Sequence, residues 1–433
     1  MGDNVQTASR TTIVAIMAAV VLLGISGALQ GTVIALRGGL EGFSSPTIGL
    51  IMSSYFVGFI LGSFLVVGFV RGVGYVRTFA AFASVASATV LAHLLIINPP
   101  AWIIFRTLHG VSLSGMLVVV ESWLNASTSS YNRGRVLSVY SLVYLAAMGA
   151  GQPLISVFPP ESFEIFAVTS ILMSLCLVPV TLAPVTGTPE VGRRSVRLWE
   201  TFRRSPLATV GVFVSGMTVE ALWGLAPRYG QQLQFSTATI GGFMLTLSVG
   251  AIALQWPLGW LSDHRDRRLA ILLAAGVGAA AAGGLAIFQG GRVGLFSLAF
   301  LIGAFIMPLY SLSLAMVNDQ LTPGEMVHAA SALILFYGVG SALGPYTASL
   351  AMSRLGPRGL FAFIGIILAG FTLFDLLRLQ ITPRLQARHR EAYRTYPRTT
   401  FAAFSLLKRG GRKGQPPVDR KTPKAQDEES PGK

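Results

Sequence analysis

Arg106 and Glu220 stand inside long apolar stretches where a charge is costly. A charged side chain in such a segment must face a cavity or a partner, so each marks a candidate pathway residue. At 100° per residue, Arg106, Gly110, Ser114 and Glu121 fall within about 80° of one another and form one polar stripe. Arg106 and Glu121 lie about 22 Å apart along the helix axis, too far to pair, so they occupy opposite depths. Gly216, Glu220, Trp223, Gly224 and Pro227 form a corresponding stripe within about 100°. A carboxyl in low-dielectric surroundings favours its protonated form, which is what a proton carrier requires. The bland alternative is a Glu220 locked to a neighbouring Arg or Tyr, and for Glu121 a place at the membrane boundary.

Gln152 interrupts an apolar helix beside Pro153, where loosened carbonyls can open to a cavity, giving it a substrate or gating role. Asp375 and Arg378, spaced i,i+3, read as a structural ion pair. Asn318 and Asp319 close their segment at the interface. The tyrosines Tyr55, Tyr140, Tyr144, Tyr310 and Tyr337 read first as packing aromatics.

These residues need membrane-length helices to hold them. The chain of 433 residues is 52% hydrophobic and only 12% charged, where soluble domains carry roughly 25% charged residues. A span needs roughly 20 apolar residues, and twelve such stretches appear: 11–36, 47–70, 75–97, 102–126, 136–157, 164–184, 207–228, 238–260, 269–288, 294–317, 329–352 and 360–382. The first is longer than the apolar part of an ordinary signal peptide and reads as a retained helix. The single cysteine, Cys176, gives no disulfide framework. The expected fold is an all-α membrane protein with twelve transmembrane helices in two pseudo-symmetric six-helix bundles.

The pseudo-symmetry is visible in the residues. Thr47-Ile48-Gly49 recurs 192 positions later as Thr239-Ile240-Gly241, Gly58 as Gly250 and Pro153 as Pro345. A duplicated bundle is the sequence trace of alternating access around a midplane site. The division expected is a first bundle over 1–185, a linker over 186–206, a second bundle over 207–383 and a basic, largely disordered tail over 384–433. Trp199 and Phe202 in the linker fit either a short interfacial helix or a solvated segment. Tyr393, Tyr396, Phe401 and Phe404 in the tail fit adhesion to anionic headgroups.

With the N terminus inside, the cytoplasmic connections before the tail hold thirteen arginines, from Arg10 to Arg268, against five on the other side: Arg37, Arg228, Arg292, Arg354 and Arg358. The positive-inside bias places both termini in the cytoplasm. That topology and the basic tail account for the net charge of +15 without a nucleic-acid partner.

Several motifs carry a family resemblance. Gly259-Trp-Leu-Ser-Asp263-His-Arg-Asp266-Arg267-Arg268 resembles the Gly-x-x-x-Asp-x-x-Gly-Arg-Arg signature of the major facilitator superfamily, with Asp266 at the second glycine. Its counterpart in the first half keeps Gly74 and Arg77 but has Arg71 at the carboxylate position. Arg106-Thr-Leu-His-Gly110 is similar to the family's Arg-x-x-x-Gly motif, and Gly340-Ser-Ala-Leu-Gly344-Pro345 to its antiporter motif. Glu121-Ser-Trp-Leu-Asn125 resembles a bacterial branch of the superfamily. The resemblance implies a gate at Gly74, Arg77, Gly259, Asp263, Arg267 and Arg268, and a helix-packing motif at Gly340, Gly344 and Pro345.

No nucleotide loop ending in Lys and no His-Glu-x-x-His pairing is present, so the sequence speaks against a P-loop pump and a zincin protease. The expectation is a non-enzymatic secondary transporter of the bacterial inner membrane, without metal or cofactor, acting as a monomer in membrane lipid. It moves a small-molecule substrate, is coupled to protons and leans toward efflux. The competing class is a transporter-like sensor, lipid translocator or assembly partner that moves no soluble solute.

Overall fold

The computed structural model describes residues 2–128, 132–183, 198–287, 290–320 and 323–381. The tail from 384, with its aromatic segment, and the linker residues 186–197 lie outside the described residues. Sixteen helices are present among those described: α1 (Gly2–Leu40), α2 (Ser45–Val73), α3 (Tyr75–Leu95), α4 (Pro99–Ala126), α5 (Arg133–Gly151), α6 (Leu154–Val157), α7 (Phe163–Leu175), α8 (Leu177–Leu182), α9 (Leu198–Arg204), α10 (Pro206–Gln232), α11 (Thr237–His264), α12 (Arg267–Ile287), α13 (Arg292–Ile306), α14 (Leu309–Asn318), α15 (Pro323–Leu355) and α16 (Gly359–Ile381).

Among the described residues, eleven helical stretches are long and apolar enough to cross a membrane. The remaining expected span is α5 with α6, divided at Gln152 and Pro153. Proline removes a backbone donor and crowds the preceding turn, so the helix stops there and restarts. Span six is likewise divided into α7 and α8, and span ten into α13 and α14, the latter before Pro308.

The repeat read in the sequence is a repeat of structure. Ser44 caps α2 by accepting from the Thr47 amide at 3.3 Å, and Ser236 caps α11 by accepting from the Thr239 amide at 3.3 Å. Each cap satisfies one of the orphan N–H groups that begin a helix. Helix crossings repeat as well. A Cβ on Gly58 of α2 would collide with the Thr107 carbonyl of α4, and one on Gly250 of α11 with the Phe300 carbonyl of α13. Small residues let backbones approach this closely, which lipid-embedded helices need because hydrophobicity gives no drive between them.

A second crossing repeats between the first and fifth spans of each half. A Cβ on Gly24 would meet the Tyr144 carbonyl, and one on Gly216 the Tyr337 carbonyl. The structural partner of Tyr144 is therefore Tyr337, one residue beyond the Phe336 that the constant 192 offset selects.

One buried apolar cluster lies wholly within the first bundle. The other spans both bundles and joins Leu36, Ile48 and Met52 to Leu222, Leu225 and Tyr229. These residues lie toward the membrane face opposite the start of α1. Hydrogen bonds accompany them: Gln231 Nε2 donates to the Leu36 carbonyl at 2.9 Å, Gln232 Nε2 to Ser45 Oγ at 3.2 Å and the Tyr346 amide to Ser53 Oγ at 3.1 Å.

Candidate translocation site

A cavity of about 200 Å³ lies between the bundles, with walls from α1, α2, α4 and α5 on one side and α10, α11, α14 and α15 on the other. Of the two polar stripes read in the sequence, Arg106, Glu220, Trp223 and Gly224 line it. The first bundle supplies the cation and the second the carboxyl.

Arg106 is only 3% exposed. Its Nη1 donates to Gln30 Oε1 at 2.5 Å, and its guanidinium carbon lies 4.7 Å from the centre of the Tyr55 ring. Arginine suits this place because its planar, weakly hydrated charge can stack on an aromatic face while donating in plane. The Nε of Arg106 and Nε2 of Gln30 are buried without hydrogen-bond partners. A buried donor left unmade costs about 1–3 kcal/mol, so an acceptor entering beside Arg106 would recover that cost.

Glu220 lies midway along α10, half-buried at the cavity wall, and accepts from the Tyr337 hydroxyl at 2.6 Å. Tyr337 packs edge-on against Tyr310, with ring centres 5.0 Å apart. This fixes the phenol from behind. The carboxyl thus has the tyrosine partner that the bland reading required, and it also faces the cavity.

Glu121 is fully buried and accepts from the Tyr140 hydroxyl at 3.0 Å. Tyr140 itself reaches the cavity wall, whereas Glu121 stands behind it. Gly110 serves packing, since a Cβ there would collide with the Tyr55 carbonyl. That contact sets α2 against α4 and so holds Tyr55 near Arg106. Gln152 is fully buried away from the cavity, accepting from Thr32 Oγ1 at 2.7 Å. Its carbonyl packs against Gly241 of the second bundle.

Among the motif residues, Arg267 organises the end of the second bundle. It donates to Asp319 through Nε at 2.5 Å and Nη2 at 3.2 Å, and through Nη1 to Asp263 at 3.3 Å and Ser262 Oγ at 3.2 Å. This one guanidinium ties α11, α12 and the end of α14 together. The Arg268 side chain is buried at the same end, and Gly259 is buried within α11. In the first half Gly74, at φ +85°, makes the left-handed turn between α2 and α3, a conformation glycine adopts without strain. Arg77 is exposed there. Gly340 and Gly344 sit against the Phe213 and Met217 carbonyls of α10, while Pro345 lies within a continuous α15.

The expected Asp375–Arg378 pair is not formed. Arg378 lies over the Phe374 ring at 5.5 Å, and both oxygens of the fully buried Asp375 lack hydrogen-bond partners. At i+3 the short carboxyl points into the bundle while the long arginine follows the aromatic face outward. Gln30 holds Arg106, Gln255 lines the cavity, and Tyr55, Tyr140, Tyr144 and Tyr337, which the sequence presents first as packing aromatics, line it too. Gln30 and Gln255 carried the same signal as Gln152, an amide within an apolar run.

The family profile of the Major Facilitator Superfamily matches residues 7–332. The chain belongs to this superfamily. It is 28% identical over 371 residues to an uncharacterized MFS-type transporter, YcaD, of Escherichia coli O6:K15:H31, covering 85% of this chain and 96% of that protein. It is 27% identical over 365 residues to an uncharacterized MFS-type transporter of Enterobacter sp. strain 638, covering 84% and 94%. Solved structures share the fold at low identity. The nucleoside transporter NupG matches with TM-score 0.69 at 10% identity, over 86% of this chain and 98% of that one. A bacterial homologue of the human lysosomal transporter Spinster, inward-facing and unoccupied, matches with TM-score 0.65 at 12% identity, over 93% and 97%. The chain is an integral membrane protein of a transporter superfamily, built as a two-bundle helical fold.

Proposed function

We propose that this major facilitator protein is a proton-coupled secondary transporter that moves a small solute by alternating access and leans toward efflux. The observation that carries this reading is the placement of Arg106 and Glu220 on opposite bundles around one cavity. When the bundles rock, both groups change exposure together. Neutralising the carboxyl before it crosses avoids moving an uncompensated charge through low dielectric.

The bundles pack toward the face opposite the start of α1. Taken with the positive-inside orientation, that face is periplasmic and the conformation is the inward-facing one. The antiporter-like Gly340 to Pro345 segment supports the efflux direction. The aromatic wall of Tyr55, Phe59, Tyr144, Trp223 and Tyr337 suits a mostly apolar solute, and the unmet donors of Arg106 and Gln30 suit one bearing an anionic or carbonyl oxygen.

The test is a panel of solutes assayed in proteoliposomes with and without an imposed pH gradient. The reading expects at least one aromatic or amphipathic solute to move with the gradient and to lose that drive in Glu220→Gln. Absence of driven transport across the panel, with retained lipid or partner binding, would favour the non-transporting alternative.

A further inference from the structure

A second pocket, about 340 Å³, lies outside the central cavity between α9, α10 and α15. Its walls are Leu198 and Phe202 of α9, Val210 and Phe213 of α10, and Leu335 and Val339 of α15. The polar side chain at its edge, Thr209, is spent on the Ser205 carbonyl at 2.9 Å. The floor therefore offers only hydrocarbon, which suits an aliphatic chain rather than a soluble solute.

Its mouth is different. The helix α9 that closes it carries Arg203, Arg204 and one carboxylate, Glu200, all exposed, and Trp199, 68% exposed and stacked on Phe202 at 5.8 Å. Ser205 joins α9 to the first turn of α10, so these groups lie at the end of the span. Indole rings prefer the headgroup depth, and basic residues there attract anionic lipid. An apolar slot below a rim of net positive charge has the polarity profile of an anionic phospholipid.

We propose that this crevice binds one anionic phospholipid, with an acyl chain in the slot and its phosphate on Arg203 and Arg204. An acyl chain gains little by leaving its neighbours in the bilayer for another apolar wall, so selectivity rests on the two arginines. They would favour an anionic over a zwitterionic headgroup by roughly tenfold or more. The site also abuts the transport machinery, because Leu335 and Val339 flank Tyr337 on α15 and α10 carries Glu220. Lipid occupancy is thereby coupled to the packing of α15 on α10. The proposal does not depend on the transported solute.

The test uses the full chain in nanodiscs doped with brominated phosphatidylglycerol or brominated phosphatidylcholine. The Trp199 signal is isolated as the difference between the wild type and Trp199→Phe. Brominated phosphatidylglycerol should half-quench Trp199 at a roughly tenfold lower mole fraction than brominated phosphatidylcholine. Arg203→Gln with Arg204→Gln should erase that difference. Filling the slot by Val339→Phe should weaken quenching by both lipids. Equal quenching by the two lipids in the wild type, no quenching by either, or a preference that survives loss of both arginines would overturn the site.

Discussion

Tyr337 of α15 donates its hydroxyl to Glu220 of α10 at 2.6 Å, on the wall of the cavity that separates the two bundles. The bond joins the carboxyl proposed to carry the proton to the helix that bears the antiporter-like glycines. Protonation at Glu220 is thus felt directly at the α10–α15 contact. Glu220→Gln should abolish gradient-driven transport and flatten its pH dependence while leaving solute exchange. Tyr337→Phe should keep coupling but shift its pH dependence, because one hydrogen bond to the carboxyl is lost. Driven transport by Glu220→Gln with the wild-type pH profile would remove this residue from the mechanism.

Arg106→Ala should reduce transport at least tenfold without changing insertion or the yield of monodisperse protein. Arg106→Lys keeps a charge but not the planar fork that serves Gln30 and any ligand acceptor, so it should rescue poorly. The check is initial-rate transport beside size-exclusion behaviour. Wild-type rates in either variant would show that the guanidinium is structural.

At the end of the second bundle, the two carboxylates around Arg267 should differ in weight. From Arg267, Asp319 accepts two bonds and is 11% exposed, whereas Asp263 accepts one at 3.3 Å and is 25% exposed. Asp319→Asn should cost about 1.5–3 kcal/mol, and Asp263→Asn about 0.2–1 kcal/mol, as for surface pairs. Thermal unfolding in detergent ranks them, and an equal loss would contradict the geometry. Asp263→Asn should also move cysteine accessibility on both membrane faces if the cluster gates access.

Glycines in this chain are separable by what a methyl group would meet. Gly344→Ala places its Cβ against the Met217 carbonyl and should destabilise by about 1–3 kcal/mol. Gly283→Ala meets nothing within 4 Å inside α12 and should stabilise by about 0.5–1 kcal/mol. Asp375→Leu should also raise the unfolding temperature, because it removes a buried carboxyl with no hydrogen-bond partner. A lowered temperature in that variant would show that the attraction between Asp375 and the buried Arg268 outweighs the missing hydrogen bonds.

The spans, the duplication and the cavity pair Arg106 and Glu220 were legible in the sequence because each depends on composition or period. A charge inside an apolar run announces itself, and a repeated N-cap such as Ser44 and Ser236 survives duplication. A helical stripe tells which residues share a face, but not what packs on that face. Gly110 shares the Arg106 stripe yet meets the α2 backbone, and Glu121 shares it yet stands behind Tyr140. Tyr337 was invisible as a partner for Glu220 because 117 residues separate them. Gln152 reads as a cavity residue because it interrupts an apolar run beside Pro153, but the fold buries it away from the cavity, where it accepts from Thr32 and packs against Gly241.

Alternating access is tested most directly by paired distances across the two membrane faces. In a Cys176→Ser background, spin labels at Val73→Cys and His264→Cys report the face where α2 and α11 end, and labels at Leu40→Cys and Leu355→Cys report the other. Pulsed electron-electron distance measurements would be taken in nanodiscs at acid and alkaline pH, with Glu220→Gln as the permanently neutral reference. Rocking of the two bundles gives two populations whose distances change in opposite directions on the two faces, with pH shifting their balance and Glu220→Gln removing that shift. Distances that stay fixed on both faces, or that lengthen and shorten together, would contradict it.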